Sequence, residues 1–352
     1  MKLDEVISAI QPADERAMET ARVRWDAVAH PLHSLGLLED AIVKIAGAQG
    51  TDHVSLEKKA VVAMCADNGV VAEGVTQSGQ DVTAVVANHM GMGTSSVCRM
   101  AKVAGARVVP VDVGVAVPVE TEGVLQRCVR RGTRNLAVEP AMTEEECLQA
   151  ILTGVDVVKD LKDQGYTLLA TGEMGIGNTT TSAALVSVLL GRDPAEVTGR
   201  GAGLSSEGLN RKVDAIRRGI AVNKPDSADA VDTLRKVGGL DIAGLVGVFL
   251  GGALYHVPVL IDGLISSVAA LAAVRLCPDA KGYMLASHIS NEPAGRLVLE
   301  ALGLKPAICA EMCLGEGTGA VAMMPLLDMA LAMYGEMCSF DDYEIDAYEH
   351  LT

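Results

Sequence analysis

Tyr166-Thr-Leu-Leu-Ala-Thr-Gly-Glu-Met-Gly-Ile-Gly-Asn-Thr-Thr-Thr181 is the stretch on which the reading of this chain turns. Tyr166 to Ala170 is a short apolar run of strand length. It passes straight into a loop with glycines at 172, 175 and 177, and then into the small-residue helix pattern Ser182-Ala-Ala-Leu-Val186. Strand, glycine loop and helix start follow one another, so free N–H groups and the helix dipole make an anion site. The Gly-Lys-Ser/Thr of a P-loop is missing; Asn178 and Thr179 to Thr181 supply amide and hydroxyl donors instead. Glu173 is out of place beside an anion, and a sugar hydroxyl suits it better. A tight strand–helix turn without a ligand accounts for the same glycines, because one such fingerprint is weakly specific.

The same punctuation recurs outward in both directions. Lys59-Ala-Val-Val-Ala-Met-Cys65 reads as a buried strand and ends in Ala66-Asp67-Asn68-Gly69. Further strands are read at Arg107–Val113, Val257–Asp262 and Gly282–Ala286. Helical patterns separate them, the clearest being Thr143 to Lys162, which opens on the capping-box-like Thr143-Glu-Glu-Glu146. Repeated strand–helix alternation predicts an α/β fold with a doubly wound, mostly parallel sheet. Asp67, Glu173, Asp262 and Glu292 then sit at or just past strand ends and converge on the ligand edge. His288 and Glu292 read either as an acid/base pair or as hydrogen-bonding anchors of their loop. Arg127, Arg130, Arg131 and Arg134 read as a basic face on a solvated connection.

The totals set limits. The chain has 352 residues, 49% hydrophobic and 3% aromatic, with 37 glycines, which suits closely packed helices on a sheet. A net charge of −16 argues against a nucleic-acid partner but leaves room for a local anion pocket. The eight cysteines are scattered, which argues against a disulfide framework, and Cys309 and Cys313 are expected to be small buried residues. His30 and His33 lie in one turn with no carboxylate or Cys to complete a metal site, so no metal is expected. No signal-peptide pattern is seen. Ile242 to Ile261 is free of Asp, Glu, Lys and Arg over membrane-spanning length, but its glycines and Pro258 favour a buried helix and strand. A cytoplasmic enzyme is expected, and the acidic 339–349 stretch is read as a surface tail.

Near the other end, Cys313-Leu-Gly-Glu-Gly-Thr-Gly-Ala320 places Glu316 between Gly315 and Gly317, just before an apolar helix pattern. Small neighbours free its carboxylate to reach a ligand; the alternative is an acid favoured by the helix dipole.

Four motifs in order, Thr171-Gly-Glu-Met-Gly-Ile-Gly-Asn-Thr-Thr180, Asp241-Ile-Ala-Gly-Leu-Val-Gly247, Ile261-Asp-Gly-Leu-Ile-Ser266 and Leu314-Gly-Glu-Gly-Thr-Gly-Ala320, resemble the nicotinate-nucleotide–dimethylbenzimidazole phosphoribosyltransferase family over nearly the whole chain. The resemblance implies a Rossmann-like large domain at 51–320 and a small helical domain from 1–50 with 321–352, assembled as a homodimer. It implies transfer of phosphoribosyl from nicotinate mononucleotide to an aromatic base with inversion, for cobamide assembly, with no cofactor. Glu316 matches the family's catalytic base. Glu173 would lie near the ribose. Gly175, Gly177, Asn178 and Thr179 would cradle the phosphate, with Lys212 as its charge partner. Asp67, Gln80, Asp262, Leu314 and Gly315 would complete the substrate site.

The chain departs from the family at His30-Pro-Leu-His-Ser-Leu-Gly36, at Asn68, and at Val75-Thr-Gln-Ser-Gly-Gln80. These changes fall on the acceptor side, so a phenol or purine is an expected alternative to dimethylbenzimidazole. A non-catalytic subunit that pairs with a related active chain is the competing reading. A dinucleotide-dependent oxidoreductase lacks its glycine fingerprint after the first strand.

Overall fold

The computed structural model describes residues 1–350, so Leu351 and Thr352, the end of the expected small domain, lie outside the described residues. Six strands form one sheet: β1 Lys59–Ala66, β2 Ala106–Gly114, β3 Leu125–Gln126, β4 Leu168–Met174, β5 Val259–Ile261 and β6 Met284–Ala286. Their order is β3-β2-β1-β4-β5-β6, and every pairing is parallel. The order reverses between β1 and β4, which opens a crevice past their carboxyl ends. β1 is buried along its whole length, as the continuous apolar run requires.

β3 was not expected. It falls in the arginine-bearing connection, where Arg127 and Arg131 are exposed as expected but Arg130, Arg131 and Arg134 are committed to acids of the fold. Arg131 Nη1 holds Asp112 at 2.7 Å, and Arg130 and Arg134 both hold Glu146. Glu146 also completes the capping box with Thr143 at the start of the Glu144–Asp163 helix. Paired guanidinium groups thus tie a loop down rather than waiting for an anion.

Each face of the sheet has its own apolar core. One contains Val62, Met64, Leu169 and the Leu240–Leu254 and Glu144–Asp163 helices. The Leu240–Leu254 helix is buried except for its last residue, and it accounts for most of the uncharged 242–261 run. Its glycines have a steric reason: a Cβ on Gly247 would overlap the Ile151 carbonyl, and one on Gly154 would overlap the Gly244 carbonyl. The helices meet backbone to backbone, which no larger residue allows. The other core joins Val61, Ala63 and Ala170 to Trp25, Ile42, Met324 and Leu327, which brings helices from both chain ends together. The Thr318–Glu336 helix is long and apolar enough to cross a bilayer by composition, yet half of its apolar window is buried here.

The acidic C-terminal stretch is not wholly a surface tail. Phe340 is buried, and the chain bonds back to Ala27 and Ala29 through Phe340 and Cys338. Burial of one aromatic ring anchors an otherwise polar segment.

Candidate active site

Two glycine turns meet at the crevice. β4 leads into Gly175-Ile176-Gly177, with Gly177 in the left-handed region at φ +98° as the N-cap of the Asn178–Leu190 helix. The Asn178 N–H is used within the turn, by Gly175 O, and that of Ile176 by Thr83 Oγ1 of the Asp81–Gly91 helix. Those of Gly177 and Thr179 have no partner among the described residues and stand at a helix N-terminus. The second turn is Gly315-Glu316-Gly317, with Gly317 at φ +97° as N-cap of the Thr318–Glu336 helix.

The turns touch. A Cβ on Gly172 would overlap the Glu316 carbonyl, and one on Gly315 would come within 2.6 Å of Glu173 Oε1. Glu316 itself holds φ +61°, a strained value for a residue with a side chain. Its carboxylate accepts from Val97 N–H at 3.1 Å, at the start of the Ser96–Val103 helix. Glu316 remains partly exposed, as do Leu314 and Gly315 beside it.

Asp262 is what fixes this turn. Its Oδ2 accepts from Gly317 N–H at 3.2 Å, and its Oδ1 accepts from Gly319 and Ala320 N–H at 2.8 and 3.1 Å. A buried carboxylate at a helix start is a favourable placement. Asp262 borders the cavity but spends its oxygens on the protein.

The cavity between the turns has a volume of about 220 Å³. Glu173, Gly175, Asn178, Thr179, Asp262, Leu314, Gly315 and Glu316, all expected from the sequence, line it. A smaller adjoining recess of about 90 Å³ adds Gly177, Thr76, Gln77 and Ser78. Lys212 lies behind the cradle: its ammonium donates to Thr179 Oγ1 at 2.7 Å and to Gly199 O at 3.1 Å. Three expected residues, Lys212, Asp67 and Gln80, line neither space. Asp67 is fully buried and accepts from Thr83 Oγ1 at 2.6 Å and Ala116 N–H at 2.8 Å, so it ties loops together. Gln80 donates to Asn68 O at 3.3 Å. His288 contacts Ser287 rather than Glu292, and its Nδ1 stands 4.0 Å from Asp262.

Sequence reasoning gave no role to Ser266, Ser290 or Asp241. Ser266 Oγ and Glu292 Oε2 are buried, unpartnered and border the cavity, which leaves them available to substrate hydroxyls. Asp241 is the lone acid of the apolar Leu240–Leu254 helix, a signal that was legible. The Asn178 side-chain amide donates to Asp241 Oδ2 at 3.2 Å and to Glu173 Oε2. The expectation of buried cysteines fails at Cys309 and Cys313, which are exposed, Cys313 at the edge of the cavity.

The charges are shifted toward neutrality. Burial pushes Glu173 up to about 8, with Asp241 and Asp262 adding to the rise and the Asn178 bond opposing it. Burial lifts Asp241 to about 7. Burial lowers Lys212 to about 8, against the pull of Glu292. A protonated Glu173 donates a hydrogen bond, which removes the conflict with a neighbouring anion.

This shift has a measurable sign. Between pH 4.5 and about 8 the folded chain keeps a proton on Glu173 that the unfolded chain releases. Stability therefore falls as pH rises through that window. Replacing Glu173 by Gln should flatten the decline of Tm between pH 5 and 8, leaving the smaller slope of Asp241. Calorimetric scans at several pH values check this; equal slopes in both proteins would refute the assignment.

Residues 10–345 match a family model described as "Phosphoribosyltransferase". The chain is 44% identical over 351 residues to the nicotinate-nucleotide–dimethylbenzimidazole phosphoribosyltransferase of Ruminiclostridium cellulolyticum, covering 100% of both chains. It is 42% identical over 336 residues to the enzyme of that name from Escherichia coli, covering 95% of this chain and 94% of the relative. The crystal structure of CobT from Thermus thermophilus is similar with a TM-score of 0.89 and 39% identity, covering 94% of this chain and 99% of that one.

Proposed function

Since the chain belongs to the nicotinate-nucleotide–dimethylbenzimidazole phosphoribosyltransferase family, we propose that the two facing glycine turns carry out its transfer with Glu316 as proton acceptor. It is a pentosyltransferase of cobamide biosynthesis that moves phosphoribosyl from nicotinate mononucleotide to an aromatic base. The phosphate takes the free N–H groups of Gly177 and Thr179, with Lys212 behind them. The ribose lies against Glu173, Ser266 and Glu292. The acceptor ring enters beside Leu314 and Glu316. As its nitrogen bonds to the anomeric carbon, the bond to nicotinate breaks and its electron pair neutralises the pyridinium. The ring N–H proton of the acceptor passes to Glu316. Positive charge developing on the sugar is stabilised by Glu292, whose Oε2 is unpartnered at the cavity.

The observation that carries this reading is the contact between the turns, which puts the Glu316 backbone against Gly172 and Glu173. We take dimethylbenzimidazole as the acceptor. The relatives' names support it, although the altered 75–80 loop had suggested phenols or purines. We also take the helices of 1–50 and 321–352 as a small body beside the 51–320 α/β body, and a homodimer in the cytoplasm as the working form. The non-catalytic reading loses ground because Glu316 and the cradle are both present.

Mass spectrometry of products from nicotinate mononucleotide with dimethylbenzimidazole, phenol, p-cresol and adenine tests the assignment. The expected result is nicotinate release with an α-riboside phosphate of dimethylbenzimidazole as the main product. Preferred use of phenol or adenine would overturn the acceptor, and no release with any of them would favour a partner-subunit role.

A further inference from the structure

A second recess of about 290 Å³ lies away from the catalytic cavity and shares no lining residue with it. It sits between the Leu37–Gln49 helix, the outer strand β6 and the segment after the Gly295–Leu302 helix. Leu37, Met284, Leu304 and Met323 give it an apolar side beside its polar one. Its charges are basic. Lys44 and Lys305 line it, and Lys281 Nζ stands 4.0 Å from where a Gly303 Cβ would be. None of the three ammonium groups has a hydrogen-bond or ion-pair partner among the described residues. The single acid on the wall, Asp40, is already bonded to His33 Nε2 at 3.1 Å. In a chain of net charge −16, three unpaired lysines around one hollow run against the general charge.

Lys44 and Asp40 also line a wider groove, which gives the recess an opening to solvent. Across that groove Lys44 meets Glu15, Glu19 and Arg22 of the Glu15–Ala27 helix, and Asp279 beside Lys281. None of these acids reaches Lys44. Burial, helped by Lys281, lowers its ammonium to about 8. A charge left half-buried without a counter-ion is costly, and an anion supplied from solution would relieve the cost.

We propose that this recess binds a small organic anion, an apolar body of about one ring carrying a carboxylate, with Lys44, Lys281 and Lys305 around its head. Point-charge ammonium groups and an apolar side suit such a ligand. Leu37 opens the Leu37–Gln49 helix at the recess, but the Leu38, Glu39 and Asp40 N–H groups are already bonded to the Leu35 and Gly36 carbonyls, so the N–H nest that a phosphate finds at Gly177 is not repeated here. An anion at Lys44 would also raise its lowered affinity for protons, so binding near pH 8.5 takes up protons from buffer.

Titration calorimetry with benzoate, benzyl alcohol and inorganic phosphate on the whole protein tests this. The expected result is saturable benzoate binding, no benzyl alcohol binding and weaker phosphate binding. Affinity for benzoate should fall about tenfold or more in Lys44→Met and in Lys305→Met. At pH 8.5 the heat should depend on the buffer's ionisation enthalpy in the wild type and not in Lys44→Met. A Tm no lower than that of the wild type shows that the variants fold. Three results would overturn the proposal: no benzoate binding at millimolar concentration, undiminished binding in Lys44→Met, or binding abolished by Lys212→Met, which would place it in the catalytic cavity. Phosphate binding as tightly as benzoate would overturn the organic class.

Discussion

Glu316→Gln should lower kcat with dimethylbenzimidazole by about 10²–10⁴-fold, the usual range for loss of a general base. Its KM for the nucleotide should change little. The amide keeps the size of the side chain but cannot take a proton, and the phosphate is proposed to sit on other residues, Gly177, Thr179 and Lys212. The turn itself is secured by Asp262 through three backbone N–H groups, not by the Glu316 side chain. Steady-state kinetics checks the split: a large rise in KM with kcat preserved would make Glu316 a binding residue and end its role as base.

Lys212→Met should act in the opposite way, raising the nucleotide KM by roughly 10–100-fold through loss of the positive charge behind the phosphate cradle. It should also raise Tm of the free protein at pH 7. The folded Lys212 binds its proton less readily than the unfolded one, at about 8 against 10.5, so its buried charge weighs on folded stability at low pH. That cost fades as pH rises through the same window, and the stability advantage of the Met variant should fade with it. Lower activity with higher stability separates a functional lysine from a structural one. A variant that loses both would mean that Lys212 is needed mainly to hold Thr179 and Gly199.

Much of this was legible because it is local. Strand, glycine loop and helix start are written consecutively in 166–190, and the parallel sheet follows from repeating that pattern. Glu316 stood out as a carboxylate between glycines that need positive φ. What the sequence hid depends on distant partners. Asp67 and Asp262 look alike at strand ends, but Asp67 turns into a network with Thr83 and Ala116, while Asp262 caps a helix some fifty residues later. The arginines after β2 looked free because Glu146 and Asp112, which pair with them, are close only in the fold. Ser266 gave no signal of its own: an unpaired hydroxyl is recognisable only once its surroundings are known.

The central claim is that Glu316 removes the acceptor's ring proton, and an acceptor with no such proton tests it. Rates of wild type and Glu316→Gln are measured side by side with dimethylbenzimidazole and with its N-methyl derivative, which can attack but has no N–H to lose. The account predicts a ratio of about 10²–10⁴ with the first and near one with the second. An equally large ratio with both acceptors would contradict it.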